Sequence, residues 1–179
     1  MIEYQRAPDG SLAVFDVVDD DAVGRVLRYR YCLERPIPHD LFEDIERTKI
    51  VWVMLNPSTA DAFHDDPTVM RCWKRSKERG RTRLVVVNAF ALRATDPREL
   101  RTEADPIGPD NLHWIEMAVR DADEVVIAWG GSWPRAYHDH MGAVLEIVRP
   151  HRPLCLGRTN NGDPRHPLYV AYRTELEVY

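Results

Sequence analysis

The sequence predicts an α/β protein: a three-layer α/β/α sandwich with a central, mostly parallel four-stranded sheet and an N-terminal edge hairpin. Three observations carry this. Short, wholly apolar, β-branched runs such as Ile50 to Leu55 have no polar alternation, as expected of strands buried on both faces. Segments with helical apolar spacing separate those runs, so each strand is followed by a crossover that returns the chain in the same direction. Only the first 35 residues break the pattern, with two runs close enough to pair as a hairpin.

In chain order, Asp9-Gly10 signals a turn, Leu12 to Val18 forms a first strand, and Asp19-Asp20-Asp21 breaks it before Val26 to Leu33. Strict alternation would put Leu27, Tyr29, Tyr31 and Leu33 on one face and Arg28, Arg30 and Cys32 on the other. The two arginines there meet a phosphate or line a solvated face. Arg35-Pro36-Ile37-Pro38 ends this pair, which occupies residues 10–35, and a short polar helix leads to Lys49 and an α/β core over 48–179.

The core opens with the buried strand at Ile50 to Leu55, stopped by Asn56-Pro57-Ser58-Thr59. Asp65-Asp66-Pro67-Thr68 supplies an N-cap acid and a proline at the first helical position, and the helix that follows turns Val69, Cys72, Trp73 and Ser76 inward and stops at Gly80. Leu84 to Ala89 is the second buried strand. A helical turn at Thr95-Asp96-Pro97 precedes a helix after Gly108-Pro109 with Leu112, Ile115, Ala118, Val119 and Ala122 as its stripe. Glu124 to Trp129 is the third strand, closed by Gly130-Gly131. Pro134 opens a helix with Tyr137, Met141, Val144, Leu145 and Val148 inward, and Leu154 to Leu156 is a fourth, shorter strand. No repeat or linker divides the chain, so residues 1–179 are expected to form a single domain.

Composition narrows the function classes. With 24 basic against 29 acidic residues the formal charge is −5, so the molecule as a whole does not attract nucleic acid. A local basic block, Arg71, Lys74, Arg75, Lys77, Arg79, Arg81 and Arg83, is left as a possible phosphate-binding face, which would bind DNA weakly and with strong salt dependence. Three dispersed cysteines without a CxxC pair fit a reducing cytoplasm. No apolar run reaches the length of a membrane span, and no metal-ligand spacing, GxGxxG or Walker loop is present, so no metal, cofactor or membrane is expected.

Four unusual segments each follow a predicted strand: Asn56 to Thr59, Asn88-Ala89-Phe90, Trp129-Gly130-Gly131, and the loop Arg158 to Tyr169. In a parallel sheet such segments gather beyond the carboxyl ends of the strands, where α/β proteins bind ligands. Each also has a plainer reading. Asn56 and Ser58 can cap a turn, Asp66 can cap a helix, Trp129-Gly130 can pack in a tight turn, His166 can be a structural loop histidine, and Arg93 can clamp a phosphate or form a surface ion pair.

The pieces NPSTAD, DDPT, VVNAFALRATDP, GPDN, AWG and CLGRTNNGDPRHPLY resemble an uncharacterised bacterial family, domain of unknown function 1643, over almost the whole chain. More distantly, the order Leu55-Asn56-Pro57, Val85-Val86-Val87-Asn88, Trp129-Gly130 and His166-Pro167 resembles the uracil-DNA glycosylase superfamily. That resemblance implies hydrolysis of an N-glycosidic bond in a nucleotide or nucleic acid. Asn56 would position the water, Asn88 would read the base edge, and His166 would hydrogen-bond the departing base, with Asp61 or Asp66 as a base. Ser58, Thr59, Thr68, Arg71, Phe90, Arg93, Trp129, Gly130, Thr159 and Asn160 would complete the binding site. The chain departs from the superfamily at Ser58, where the best-known branch has tyrosine, and at Leu168-Tyr169 after His166-Pro167; its cysteines cannot form a four-cysteine iron-sulfur site. The alternatives are another nucleotide-processing enzyme and a binding module without catalysis.

Overall fold

A computed structural model describes residues 1–20, 24–39 and 46–179. The expected polar helix before Lys49 and part of the Asp19 to Asp21 break lie outside the described residues. Eight strands form one mixed sheet: β1 (Ile2–Arg6), β2 (Leu12–Asp20), β3 (Gly24–Pro36), β4 (Lys49–Met54), β5 (Arg83–Asn88), β6 (Glu124–Ile127), β7 (Leu154–Cys155) and β8 (Glu177–Val178). Their spatial order is β1-β2-β3-β5-β4-β6-β7-β8. The helices are α1 (Pro67–Glu78), α2 (Asn111–Val119) and α3 (His138–Val148).

This corrects the predicted fold class. The sheet is not a four-stranded, mostly parallel core with a hairpin at its edge, because four of the seven strand pairings are antiparallel. β3 docks antiparallel onto β5, with Leu33 opposite Val86 and Pro36 opposite Arg83, so the hairpin continues the sheet. The polar β1 and the two-residue β8 extend it at both ends.

Alternation in β3 also fails. The β2–β3 register slips between Val14 and Phe15 and again between Asp16 and Val17. Each slip places an extra residue on β3 and turns the following side chains over. Tyr29, Tyr31 and Cys32 therefore share one core while Leu33 enters the other. Arg30 is neither solvated nor on a surface: it is 2% exposed. Arg28 is held at its end by Glu103, at 2.9 Å.

β4 is buried on both faces, as its composition requires. Val51, Val53 and Leu55 pack with α2 and α3 through Ile115, Val119, Met141 and Val144, whereas Ile50, Trp52 and Met54 pack with α1 through Val69 and Cys72. Trp52 has no exposure, and its indole N–H donates to Ser76 Oγ at 3.1 Å, which in turn donates to Cys72 O at 2.8 Å. That chain explains a serine in the inward stripe of α1, since an indole N–H sealed without an acceptor would cost about 1 to 3 kcal/mol. All three cysteines are free and buried. Among the described residues no helix is long and apolar enough to cross a membrane.

Candidate functional site

Where β4 stops, the chain cannot continue pairing because Pro57 has no N–H. The neighbouring segment replaces the ladder: Ala89 N–H donates to Met54 O at 2.9 Å and Phe90 N–H to Leu55 O at 2.8 Å. Asn56 then spends its amide nitrogen on Ala94 O at 2.8 Å and Pro57 O at 3.1 Å, pinning the loop after β5. Its amide oxygen has no partner among the described residues.

The loop from Pro57 to Asp66 is held from below by β3. Arg30 donates to Ala60 O at 2.7 Å, and burial pulls its pKa down to about 10. Arg35 binds Asp65 Oδ1 at 2.8 Å and donates to the carbonyls of Asp61 and His64. The loop ends at Asp66, a buried N-cap whose Oδ1 accepts from the N–H groups of Thr68 and Val69, both at 2.9 Å.

From the far side of the cleft comes the end of β6. Trp129 is buried, and Gly130 lies at φ +75, with its N–H donating to Pro164 O at 2.8 Å. A Cβ there would stand 3.4 Å from His166 Cβ, in van der Waals contact with the last loop, so it is the left-handed backbone that calls for the glycine. That loop is braced by Asp163, which accepts from Trp133 Nε1 at 2.7 Å and from Arg135 at 3.0 Å, the Arg135 guanidinium lying 3.9 Å from the Trp133 ring centroid. Thr159 N–H donates to Asp163 O at 2.7 Å. Arg71 fastens the following turn to α1 by donating to Pro167 O at 3.1 Å and Val170 O at 2.9 Å.

These parts enclose a cleft of about 620 Å³. Of the residues singled out from the sequence, Asn56, Ser58, Thr59, Asp66, Thr68, Trp129, Gly130, Thr159 and His166 line it. Six others do not. Asp61 caps its own loop, its Oδ1 accepting from Phe63 N–H at 2.8 Å and His64 N–H at 2.9 Å; burial raises its pKa, but these bonds outweigh that and hold it low. Arg71 is the clip already described. Asn88 is 1% exposed on the α1 face, with its amide nitrogen unpartnered among the described residues. Phe90 is fully buried, edge-on to Tyr137 at 5.3 Å. The Arg93 guanidinium lies 5.2 Å from the Phe15 ring, its pKa lowered by burial. Asn160 is exposed away from the cleft.

His166 is the most perturbed group in the cleft. Burial lowers its pKa to about 4, against a smaller opposing pull from Asp66, so the ring is neutral near pH 7. Its Nδ1 accepts from Leu168 N–H at 3.3 Å, which leaves the proton on Nε2 as a donor. The cleft thus combines one neutral donor, an amide oxygen, a buried carboxylate and several hydroxyls between walls that include Leu55, Trp129 and Leu168.

Sequence reasoning missed Thr95, Gly131, Ser132, Arg165 and Tyr169 as individual lining residues. All but Thr95 and Ser132 belong to segments already marked, and the Asn56 to Ala94 bond that draws Thr95 in has no sequence signal. The chain matches no curated protein and no solved structure. A family model described as "Protein of unknown function (DUF1643)" matches residues 30–168, from the middle of β3 to the far wall of the cleft, and the chain belongs to that family.

Proposed function

We propose that the protein is a nucleobase-recognising hydrolase that cleaves an N-glycosidic bond, in the manner of the uracil-DNA glycosylase superfamily that its strand-end motifs resemble. The observation that carries the reading is the meeting of His166, Asn56 and Asp66 in one cleft although they come from three separate segments. A departing base gathers negative charge as the C1′–N bond breaks and takes the bonding electron pair. A neutral imidazole donating from Nε2 to a base carbonyl stabilises that charge. The free oxygen of Asn56 orients a water toward C1′, and the Asp66 carboxylate takes its proton as the new C–O bond forms. The exposed ring of Tyr169 at the rim offers a stacking surface for the base.

The test is to incubate the purified chain with nucleosides, nucleotides and oligonucleotides carrying normal and modified bases and to measure released base by chromatography. Base release that drops about a hundredfold in His166→Gln is expected. No release from any substrate would overturn the reading. A second reading, base binding without catalysis, is favoured by Asn56 spending its amide nitrogen on backbone carbonyls; it predicts saturable binding with no released base.

A further inference from the structure

From the distribution of free and spent cations, we infer that the cleft takes a single nucleotide, a nucleoside monophosphate with its phosphate on Arg165, and not a nucleic-acid chain. This rests on the proposed base recognition and specifies its substrate class. A protein that tracks a strand needs several cations free to meet successive phosphates. The basic block of this chain is largely engaged. Arg79 and Arg81 converge on Glu124, and Arg83 binds Glu34. Arg75 donates to Thr174 O at 2.8 Å and Ala171 O at 2.7 Å, and Arg71 is occupied in the same way. Lys74 and Lys77 lie over the rings of Tyr172 and Trp73, at 4.6 and 5.3 Å. Across the cleft, Arg135 is bound to Asp163.

Arg165 differs. It lines the cleft, is exposed, and makes no side-chain hydrogen bond or ion pair with any described residue. A guanidinium fork meets two oxygens of a phosphate at once, which suits a terminal monophosphate with its three free oxygens. On the same wall Thr159 Oγ1 is sealed from solvent and has no partner among the described residues, although a sealed hydroxyl ordinarily has one. A molecule of net charge −5 with one uncommitted arginine at its cleft tolerates one phosphate far better than a row of them.

Equilibrium binding to the full chain decides this, comparing the four common ribonucleosides, their 5′-monophosphates, inorganic phosphate and a short single-stranded oligonucleotide at two salt concentrations. The expected result is a monophosphate at least tenfold tighter than its nucleoside and tighter than the oligonucleotide. Arg165→Gln should bring the monophosphate down to the nucleoside level without lowering the melting temperature. An oligonucleotide that binds more tightly than any monophosphate, with affinity falling steeply in salt, would overturn the inference, as would an Arg165→Gln protein that keeps the preference. If nucleosides bind as well as monophosphates, this inference alone fails. If neither binds, base recognition fails and the inference with it.

Discussion

Replacing His166 by glutamine should flatten part of the acid side of the stability profile. In the folded protein burial lowers the His166 pKa from 6.5 to about 4. In the unfolded chain the ring takes its proton near pH 6.5. Above that value both states are neutral and the histidine's contribution is fully present. As the pH falls from 6.5 toward 4 only the unfolded state gains a proton, so stability is lost through this window, and below 4 this group costs nothing more. At about 1.4 kcal/mol per pH unit the interval corresponds to about 3 kcal/mol. Glutamine occupies similar space, can accept the Leu168 N–H through its amide oxygen, and does not titrate. The assay is urea unfolding of both proteins from pH 7.5 to 3.5, read as the difference in free energy at each pH. His140, whose pKa burial also lowers, is present in both proteins and cancels in that difference. Curves that stay parallel between pH 6.5 and 4, or a His166 proton resonance titrating near 6.5, would refute the reasoning.

Four other substitutions, at three positions, test the architecture of the cleft. Asp66→Asn keeps an oxygen for the Thr68 and Val69 N–H groups and should leave stability within about 0.5 kcal/mol, whereas Asp66→Ala should cost about 1 to 2 kcal/mol; both should abolish base release if the carboxylate takes the proton from water, which melting and product assays report separately. Gly130→Ala forces a side chain into backbone at φ +75 and against His166, so a loss of about 1 to 2 kcal/mol with a displaced His166 resonance is expected, and an unchanged spectrum would contradict it. Trp133→Phe removes one donor from the buried Asp163 carboxylate; a cost of about 1.5 to 3 kcal/mol is expected, together with faster amide exchange at Thr159, whose N–H is bound to Asp163 O.

The central strands were legible because their apolar runs are local. Ile50 to Leu55 needs no partner to announce that both faces are covered. What the sequence hides is pairing direction and sheet extent. Ile2–Arg6 reads as a polar N-terminal segment, and it becomes a strand only because Leu12 to Asp16 lie beside it. β8 is two residues long and exposed, so no periodicity can show it. The burial of Arg30 was not legible because alternation assumes an unbroken register, and a bulge turns every later side chain over. Among the site residues, Asn56 and Trp129 were visible as polar or glycine-flanked strand ends and His166 as part of the long loop after the last predicted strand, and all three line the cleft. Asn88 looked identical in sequence, yet it ends β5 one position opposite Met54, still inside the sheet, and is sealed by the chain that follows.

Arg71 and Arg75 attach the segment from Pro167 to Thr174 through four of its carbonyl oxygens and through the ring of Tyr172, over which their guanidinium groups lie at 4.6 and 5.6 Å. Neither Leu168 nor Tyr169 supplies one of these carbonyls or the ring, so the attachment does not depend on what is written at those two positions. Leu168 and Tyr169 sit in that segment and face the cleft. Their identities can therefore drift between relatives, or be randomised in a library, while the loop stays seated on α1. Ligand preference and loop anchorage are thus under separate genetic control, and variation at 168 and 169 is where new specificities are most cheaply reached.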